Sequence, residues 1–564
     1  MVKHCRDQTV VATTTEQPLT IAKIPVGSWS FAIRLWLATI LALFVSFWLQ
    51  LESPTTAALT VAVLAEPTRG QALDKARWRL LATVVGVTAS IAITGLFSQA
   101  RDLILAAFAV WLGVCVFAAK LLDGYRAYAA VLSGYTVAFI ATQQLDNPQH
   151  VFESGMARGA AIVIGILSIA VVNTLMFAPD RRSHLVTQLA VIHRRVRLYA
   201  SAALGGEPGD STTFLMLLRE IVALRPEIAS VAPESSGGSV GSAAARSTAV
   251  SLIAELQAAR SLSSGRARGG DAETEILARS EVLLRDEQVS HDLLALSSVK
   301  WPRRLWRAPL YRSYQIAAES AVRAALWLAI ASALYVWAGW PAASVSLSFV
   351  TLMIGLGATT PKPRAFTAIA LVAAPIAIVL TGILEFFILN GADDFPLLAI
   401  GLAPFVIGGG LLVTSSNLLW SSLGRTILPF IMLLLAPSNP QTYNPQAFLF
   451  TSVFIIAAAA LLLATQTLIP PLSDDKRRMQ LLAEARSDLH EPSFKNGEAP
   501  EEGMFRDASR LGQFLSAGGA EDSEALAEMI SCFDQSAMIR GGGTKLTQPG
   551  DRRWGRNLDL SEAT

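Results

Sequence analysis

From Pro54 to Gly95 the chain reads PTTAALTVAVLAEPTRGQALDKARWRLLATVVGVTASIAITG. An apolar segment runs into a short break, Glu66-Pro67-Thr68-Arg69-Gly70, and a second apolar segment follows it. Lys75, Arg77 and Arg79 stand just after the break. The same design returns at Pro341 to Val372, where Thr360-Pro361-Lys362-Pro363-Arg364 takes the place of the break. A chain that builds this unit twice inside apolar sequence is most simply a membrane transporter with two related halves.

The composition agrees. Of 564 residues, 52% are hydrophobic and 16% charged, and the mean hydropathy of +0.44 lies above the soluble range. The net charge of +2 describes no single surface, because the charges concentrate in the central and C-terminal stretches. Cys5, Cys115 and Cys532 are too scattered for a disulfide framework or a metal-ligand spacing.

The first half holds about six apolar runs: Phe31–Leu49, Thr55–Ala65, Leu80–Phe97, Leu103–Ala119, Tyr128–Thr142 and Gly159–Phe177. The second half holds about six more, near Ser320–Trp337, Ser344–Leu356, Ala365–Ile388, Leu397–Val413, Ile427–Leu435 and Phe448–Leu468. Phe31–Leu49 is too long for a signal-peptide core and is read as an uncleaved first span. Placing the N-terminus inside puts Arg69, Lys75, Arg77, Arg79, Lys120, Arg126, Arg181 and Arg182 in cytoplasmic loops of the first half. Lys362, Arg364, Arg425, Lys476, Arg477 and Arg478 do the same for the second, so both halves run in one direction.

The expected fold is therefore an all-α membrane protein with two parallel repeats of about six transmembrane helices. Its expected parts are a cytoplasmic N-terminal segment (1–30), a first repeat (31–180), a helical cytoplasmic insert (181–312), a second repeat (313–470) and a short cytoplasmic tail (471–564). Helical periodicity in the insert covers His184–Ala203, Thr213–Leu224, Ser247–Leu262 and Thr274–Leu296, with a Ser/Gly-rich loop at Pro233–Ala245. The tail carries one expected helix, Glu521–Phe533, and reads as disordered beyond Arg540.

No catalytic constellation is visible. The chain has no Walker phosphate loop and no H-E-x-x-H, so an enzyme or ATP-driven pump is disfavoured and no cofactor or metal is expected. Charges within the spans carry more information. Arg34 and Arg323 hold matching places near the starts of the first and seventh spans. They either bind an anionic substrate or snorkel to the headgroups. Glu66 either pairs with a basic residue or exchanges protons. Glu319 stands one turn before Arg323 and invites an i, i+4 pair. Glu385 is a weaker candidate. Gly86 with Ser90, and Ala161 with Gly165, form small-x-x-x-small pairs for helix packing. Trp36, Trp48, Trp111, Tyr135, Trp327 and Trp337 either stack on a planar ligand or sit in the lipid belt and core.

Several short stretches carry a family resemblance. They are Gln50-Leu51-Glu52-Ser53-Pro54 with Leu59-Thr60-Val61-Ala62, Leu132-Ser133-Gly134-Tyr135-Thr136, and Arg158 with Ile162-Val163-Ile164-Gly165-Ile166. Trp337-Ala338-Gly339-Trp340, Pro361-Lys362-Pro363-Arg364 and Pro233-Glu234-Ser235-Ser236 add to them. In order and spacing the chain resembles the fusaric acid resistance family of aromatic carboxylic acid exporters over Ala32 to Leu468. The resemblance implies a multi-pass inner-membrane exporter driven by the proton motive force, with both termini cytoplasmic. It implies an aromatic carboxylate substrate such as a hydroxybenzoate or fusaric acid, and a periplasmic adaptor protein. Arg34 and Arg158 match positions that are basic in the family pattern.

The expected substrate-binding residues are thus Arg34, Arg323, Arg158 and Tyr135, with Glu66 and Glu319 as proton-coupling groups. The expected partners are the lipid bilayer, the substrate, the adaptor and further copies of the chain in a homo-oligomer; no nucleic-acid partner is expected. A passive organic-anion channel and a non-transporting membrane scaffold are the competing readings.

Overall fold

A computed structural model describes residues 20–21, 24–142, 144, 148–176, 182–232, 238–267, 272–339, 343–391, 394–439, 441, 443–490 and 498–542. Cys5, Arg181, Trp340, the 233–236 stretch and the tail beyond 542 lie outside the described residues. Apart from a two-strand ladder at Thr20–Ile21 and Ile24–Pro25, the described secondary structure is helical.

Six helices come first: α1 Val26–Trp48, α2 Pro54–Val63, α3 Arg69–Phe97, α4 Arg101–Leu121, α5 Gly124–Val137 and α6 Val151–Leu175. α5 continues into a π-helical turn, Ala138–Thr142. Five helices with lower hydropathy follow: α7 Arg182–Gly205, α8 Ser211–Ala223, α9 Arg225–Ser230, α10 Gly238–Ala267 and α11 Ala272–Ser297. A second group of six comprises α12 Tyr314–Ala338, α13 Ala343–Ala358, α14 Pro363–Ile383, α15 Phe395–Val413, α16 Leu418–Leu435 and α17 Pro445–Leu468. The chain ends in α18 Asp474–His490, α19 Pro500–Phe514 and α20 Ser523–Gly542.

Local chemistry sets the boundaries. Asn444 caps α17 by accepting from the Gln446 and Ala447 amides, and Pro445 fills the first helical position. Ser313 caps α12 at its start. Gly339 ends it at φ +59°, a conformation that suits glycine. Among the described residues, nine helices are long and apolar enough to cross a bilayer. α2 and α13 are shorter apolar helices, and each is the second of its group. The protein is a multi-pass membrane protein.

The two groups of six are packed alike. In each, the first helix lies on the second and sixth, the second on the sixth, the third on the fifth and sixth, and the fourth on the fifth. Between the groups, α1 packs on α15 and α12 on α4, while α2 packs on α16 and α13 on α5. Exchanging the groups leaves this pattern unchanged. The starts of α3 to α6 at 69, 101, 124 and 151 and of α14 to α17 at 363, 395, 418 and 445 differ by a constant 294 residues. Small residues allow the close crossings between groups. A Cβ on Gly410 of α15 would come within 2.9 Å of the Ala32 backbone in α1, and one on Gly113 of α4 within 3.2 Å of the Ala321 carbonyl in α12.

The membrane helices share one apolar core. α7, α8, α10 and α11 share a second with α18 to α20, in which Leu217, Leu256, Phe505 and Phe514 are buried. The tail therefore holds more structure than the single expected helix. Its apolar residues are spaced among acids and arginines, and they find their partners on segments far away in sequence.

Candidate functional site

Arg79 lies in α3 where that helix crosses α2 and α5. Its side chain is only 2% exposed. Nη1 donates to the Tyr128 hydroxyl at 2.6 Å and Nη2 to Thr60 Oγ1 at 3.1 Å. Nε is buried without a hydrogen-bond partner, and no carboxylate pairs with this guanidinium among the described residues. Phenol and hydroxyl dipoles solvate a buried cation only in part, and an unneutralised charge in apolar surroundings is costly.

The setting is cationic throughout. Tyr135 follows Tyr128 by two helical turns on α5 and shares an electrostatic group with Tyr128, Arg79 and Arg158. Arg158, from α6, lies 4.6 Å from the centroid of the Phe139 ring. Its Nε is likewise buried with no hydrogen-bond partner, and it too has no ion pair among the described residues. Tyr135 and Phe139 meet edge to face at 6.4 Å. Leu352 and Leu356 of α13 close the cluster from the second group of helices. At the adjoining π turn, Ser348 of α13 donates to the Ala138 carbonyl at 3.2 Å. Two guanidinium groups, two phenols and an aromatic wall make a place where a planar carboxylate would supply the missing negative charge.

Of the residues singled out from sequence, Arg158 and Tyr135 are brought together here. Arg34 is elsewhere: it is 3% exposed, and its Nη2 donates to the Pro67 carbonyl at 3.3 Å, beside the first break. Its Nε and Nη1 have no hydrogen-bond partner among the described residues. Arg323 stands on α12, whose packing on α13, α17 and α4 matches that of α1 on α2, α6 and α15, but its polar partners differ from those of Arg34. Arg323 pairs with Glu319 at 3.1 Å and lines a cavity of about 70 Å³ with Lys120, Trp327 and Arg477. That volume holds water but not an aromatic acid. A larger cavity of about 330 Å³, lined by Ile388, Asn390, Leu397 and Pro404, has no charged residue to hold an anion among the described residues.

The carboxylates are tied to cations. Glu66 lies 2.7 Å from Lys75 Nζ and 3.6 Å from Arg425 Nη1, so it joins the two groups of helices. Glu319 also meets Lys476 at 3.0 Å and accepts from Gln480 at 2.6 Å, which joins α12 to α18. Glu385 is buried in the π turn Leu384–Ile388, with no hydrogen-bond partner for Oε2 among the described residues. Trp48 and Trp337, near the ends of α1 and α12, are exposed as lipid-belt residues are. Trp36 and Trp327 instead donate to the Ala399 and Ile469 carbonyls, each at 2.9 Å.

Sequence reasoning missed Arg79, which it placed in a cytoplasmic loop. The helix begins at Arg69, so Arg79 already stands nearly three turns inside it. The available signal was its position directly before the apolar run from Leu80, with Tyr128 and Tyr135 seven residues apart on another span.

A family model described as the fusaric acid resistance protein family matches residues 28–284 and 249–539. An uncharacterized transporter of Gluconobacter oxydans is 23% identical over 504 residues, which cover 76% of this chain and 68% of the relative. The p-hydroxybenzoic acid efflux pump subunit AaeB of Edwardsiella ictaluri is 30% identical over 219 residues, covering 36% of this chain and 34% of AaeB. AaeB of Salmonella paratyphi A is 35% identical over 162 residues, covering 26% of this chain and 24% of the relative. The chain thus spans about a third or less of the matched AaeB proteins. No solved structure matches.

Proposed function

The chain belongs to the fusaric acid resistance protein family, and on that premise we propose that it exports aromatic carboxylic acids across the bacterial inner membrane. The observation that carries this reading is the buried pair Arg79 and Arg158 beside Tyr128, Tyr135 and Phe139, with no acid among the described residues to neutralise it. The substrate is of the hydroxybenzoate or fusaric acid kind, a class that the AaeB relatives' name supports. Its carboxylate is held between the two guanidinium groups and its ring lies against Phe139. Binding discharges a site that is otherwise cationic, so the protein holds anions in preference to neutral aromatics.

The two groups of six helices act as parallel repeats about a substrate path, a reading supported by their matched packing and by the constant offset between the last four helices of each. Arg34 and Arg323 gather anions near the inner ends of α1 and α12. The proton motive force drives export, with Glu66 and Glu319 as the carboxylates that change partners. Glu66 suits this role because its cations Lys75 and Arg425 come from different groups of helices. Movement between the groups alters its pairing and its hold on a proton. α7 to α11 and α18 to α20 lie on the cytoplasmic side with both termini. The active form is a homo-oligomer working with a periplasmic adaptor. The chemistry is transport, with no reaction catalysed.

The test is flux in proteoliposomes. Purified protein is reconstituted, voltage is clamped near zero, and labelled 4-hydroxybenzoate is followed under an imposed pH gradient. Accumulation against the substrate gradient, abolished by a protonophore, is expected. Movement only down the substrate gradient and indifferent to pH would overturn proton coupling and leave a channel.

A further inference from the structure

Outside the membrane helices, α7, α10 and α11 pack on one another and bring three ligand-type side chains to one point. His193 comes from α7, Glu255 from α10 and Asp286 from α11. His193 Nε2 lies 3.0 Å from Asp286 Oδ1 and 3.9 Å from Glu255 Oε2. The three ligand atoms all fall within 4.8 Å of one another. Ligand atoms about 2.1 Å from a tetrahedral zinc ion stand about 3.4 Å apart, so small side-chain movements close the set.

Glu255 is the independent pointer to a ligand. Its side chain is 0% exposed, and neither carboxylate oxygen has a hydrogen-bond partner among the described residues. A buried carboxylate costs free energy unless something compensates it. Among the described residues the cation acting on it is Arg197, which is committed to Asp286: Nη2 and Nε reach Asp286 Oδ2 at 2.5 and 3.2 Å. That pair fixes the Asp286 carboxylate and leaves Oδ1 facing His193 and Glu255, as groups around a metal site orient its ligands.

We propose that His193, Glu255 and Asp286 bind a divalent transition-metal ion of the zinc class, tying α7, α10 and α11 together. One nitrogen and two carboxylates suit such an ion, with water completing the shell. The proton balance is explicit. Burial first, and the Asp286 charge second, push the Glu255 carboxyl up to about 8, so it carries a proton at neutral pH. Burial also lowers His193, which keeps the imidazole neutral. The ion displaces the Glu255 proton to solvent. The imidazole proton moves from Nε2 to Nδ1, freeing Nε2 to coordinate. Arg197 stays paired with Asp286.

The experiment uses the full chain, tag removed, purified in detergent and stripped with a chelator. Zinc is titrated in, bound metal is measured by equilibrium dialysis with elemental analysis, and thermal unfolding is followed in parallel. About one ion per chain and a raised melting temperature are expected. Glu255→Gln and His193→Gln should each weaken binding about 10- to 100-fold. Glu255→Gln removes a buried acid, so its metal-free form should melt no lower than the parent. His193→Gln keeps the test decisive should Glu255→Gln fold poorly. No bound zinc at about 100 µM, far above the range of structural sites, or binding unchanged in both variants, would overturn the proposal.

Discussion

The two groups of six helices share a packing plan and differ in what they bury. Applying the 294-residue offset, the place of Arg79 is taken by Ala373, of Thr60 by Ile354, of Tyr128 by Ser422, of Tyr135 by Pro429 and of Arg158 by Ser452. The first group concentrates cations and phenols. The second has no charge and no phenol at the matching points and carries prolines within α14, α15 and α16, at Pro375, Pro404 and Pro429. No proline interrupts a long helix of the first group beyond its opening turn. The contrast teaches that one packing plan can carry two different sets of buried side chains. The arginine–phenol cluster sits in the group without internal prolines, and the helix-weakening prolines sit in the group that lacks that cluster.

The sharpest way to break this comparison is to exchange the charge. Arg79→Met should lower 4-hydroxybenzoate transport by about 100-fold, the scale for removing one partner of a buried charged contact. It should leave the melting temperature unchanged or raised, because a buried charge contributes little to stability. Ala373→Arg should do the reverse. Ala373 is fully buried, and a charge with no phenol beside it should cost about 3–5 kcal/mol of folding free energy, read as a loss of folded protein in size-exclusion and melting assays.

Smaller changes sharpen the contrast. Gly165→Ala in α6 would place a Cβ 2.7 Å from the Ala57 carbonyl and 2.8 Å from Thr60 Cβ. It should cost about 1–3 kcal/mol and displace the threonine that accepts from Arg79, lowering both melting temperature and affinity. Tyr135→Phe should raise the KM for hydroxybenzoate about three- to tenfold with little change in melting temperature, as fits one lost hydrogen bond. Pro429→Ala, at the matching place in α16, should instead leave KM unchanged, raise the melting temperature and slow turnover severalfold, since it regularises a helix. The smallest effect is expected at the exposed pair Lys362 and Asp474, 3.3 Å apart. Asp474→Asn should change stability by less than about 1 kcal/mol.

Much of the membrane architecture was legible because long apolar helices announce themselves by length and hydropathy. The repeated break at Pro67 and Pro361 marked the starts of α3 and α14 within two residues. Arg158 was singled out through the family resemblance, and Tyr135 as an aromatic within an apolar span. Arg79 was not, because its burial depends on Tyr128, 49 residues away, and on the crossing of α2. In a string of Lys75, Arg77 and Arg79 nothing local separates the exposed Arg77 from the buried Arg79. The helices of the tail were hidden for a related reason. Phe505 and Phe514 sit among charged residues in α19, and their partners lie on α8 and α10 more than 200 residues earlier.

Equilibrium binding of 4-hydroxybenzoate and of its neutral amide, measured on the purified parent and on Arg79→Met, tests the anion site most directly. The parent is expected to prefer the carboxylate by about 100-fold, and Arg79→Met to bind both weakly and alike. A parent that binds acid and amide equally, or an Arg79→Met variant that keeps the preference, would contradict that expectation.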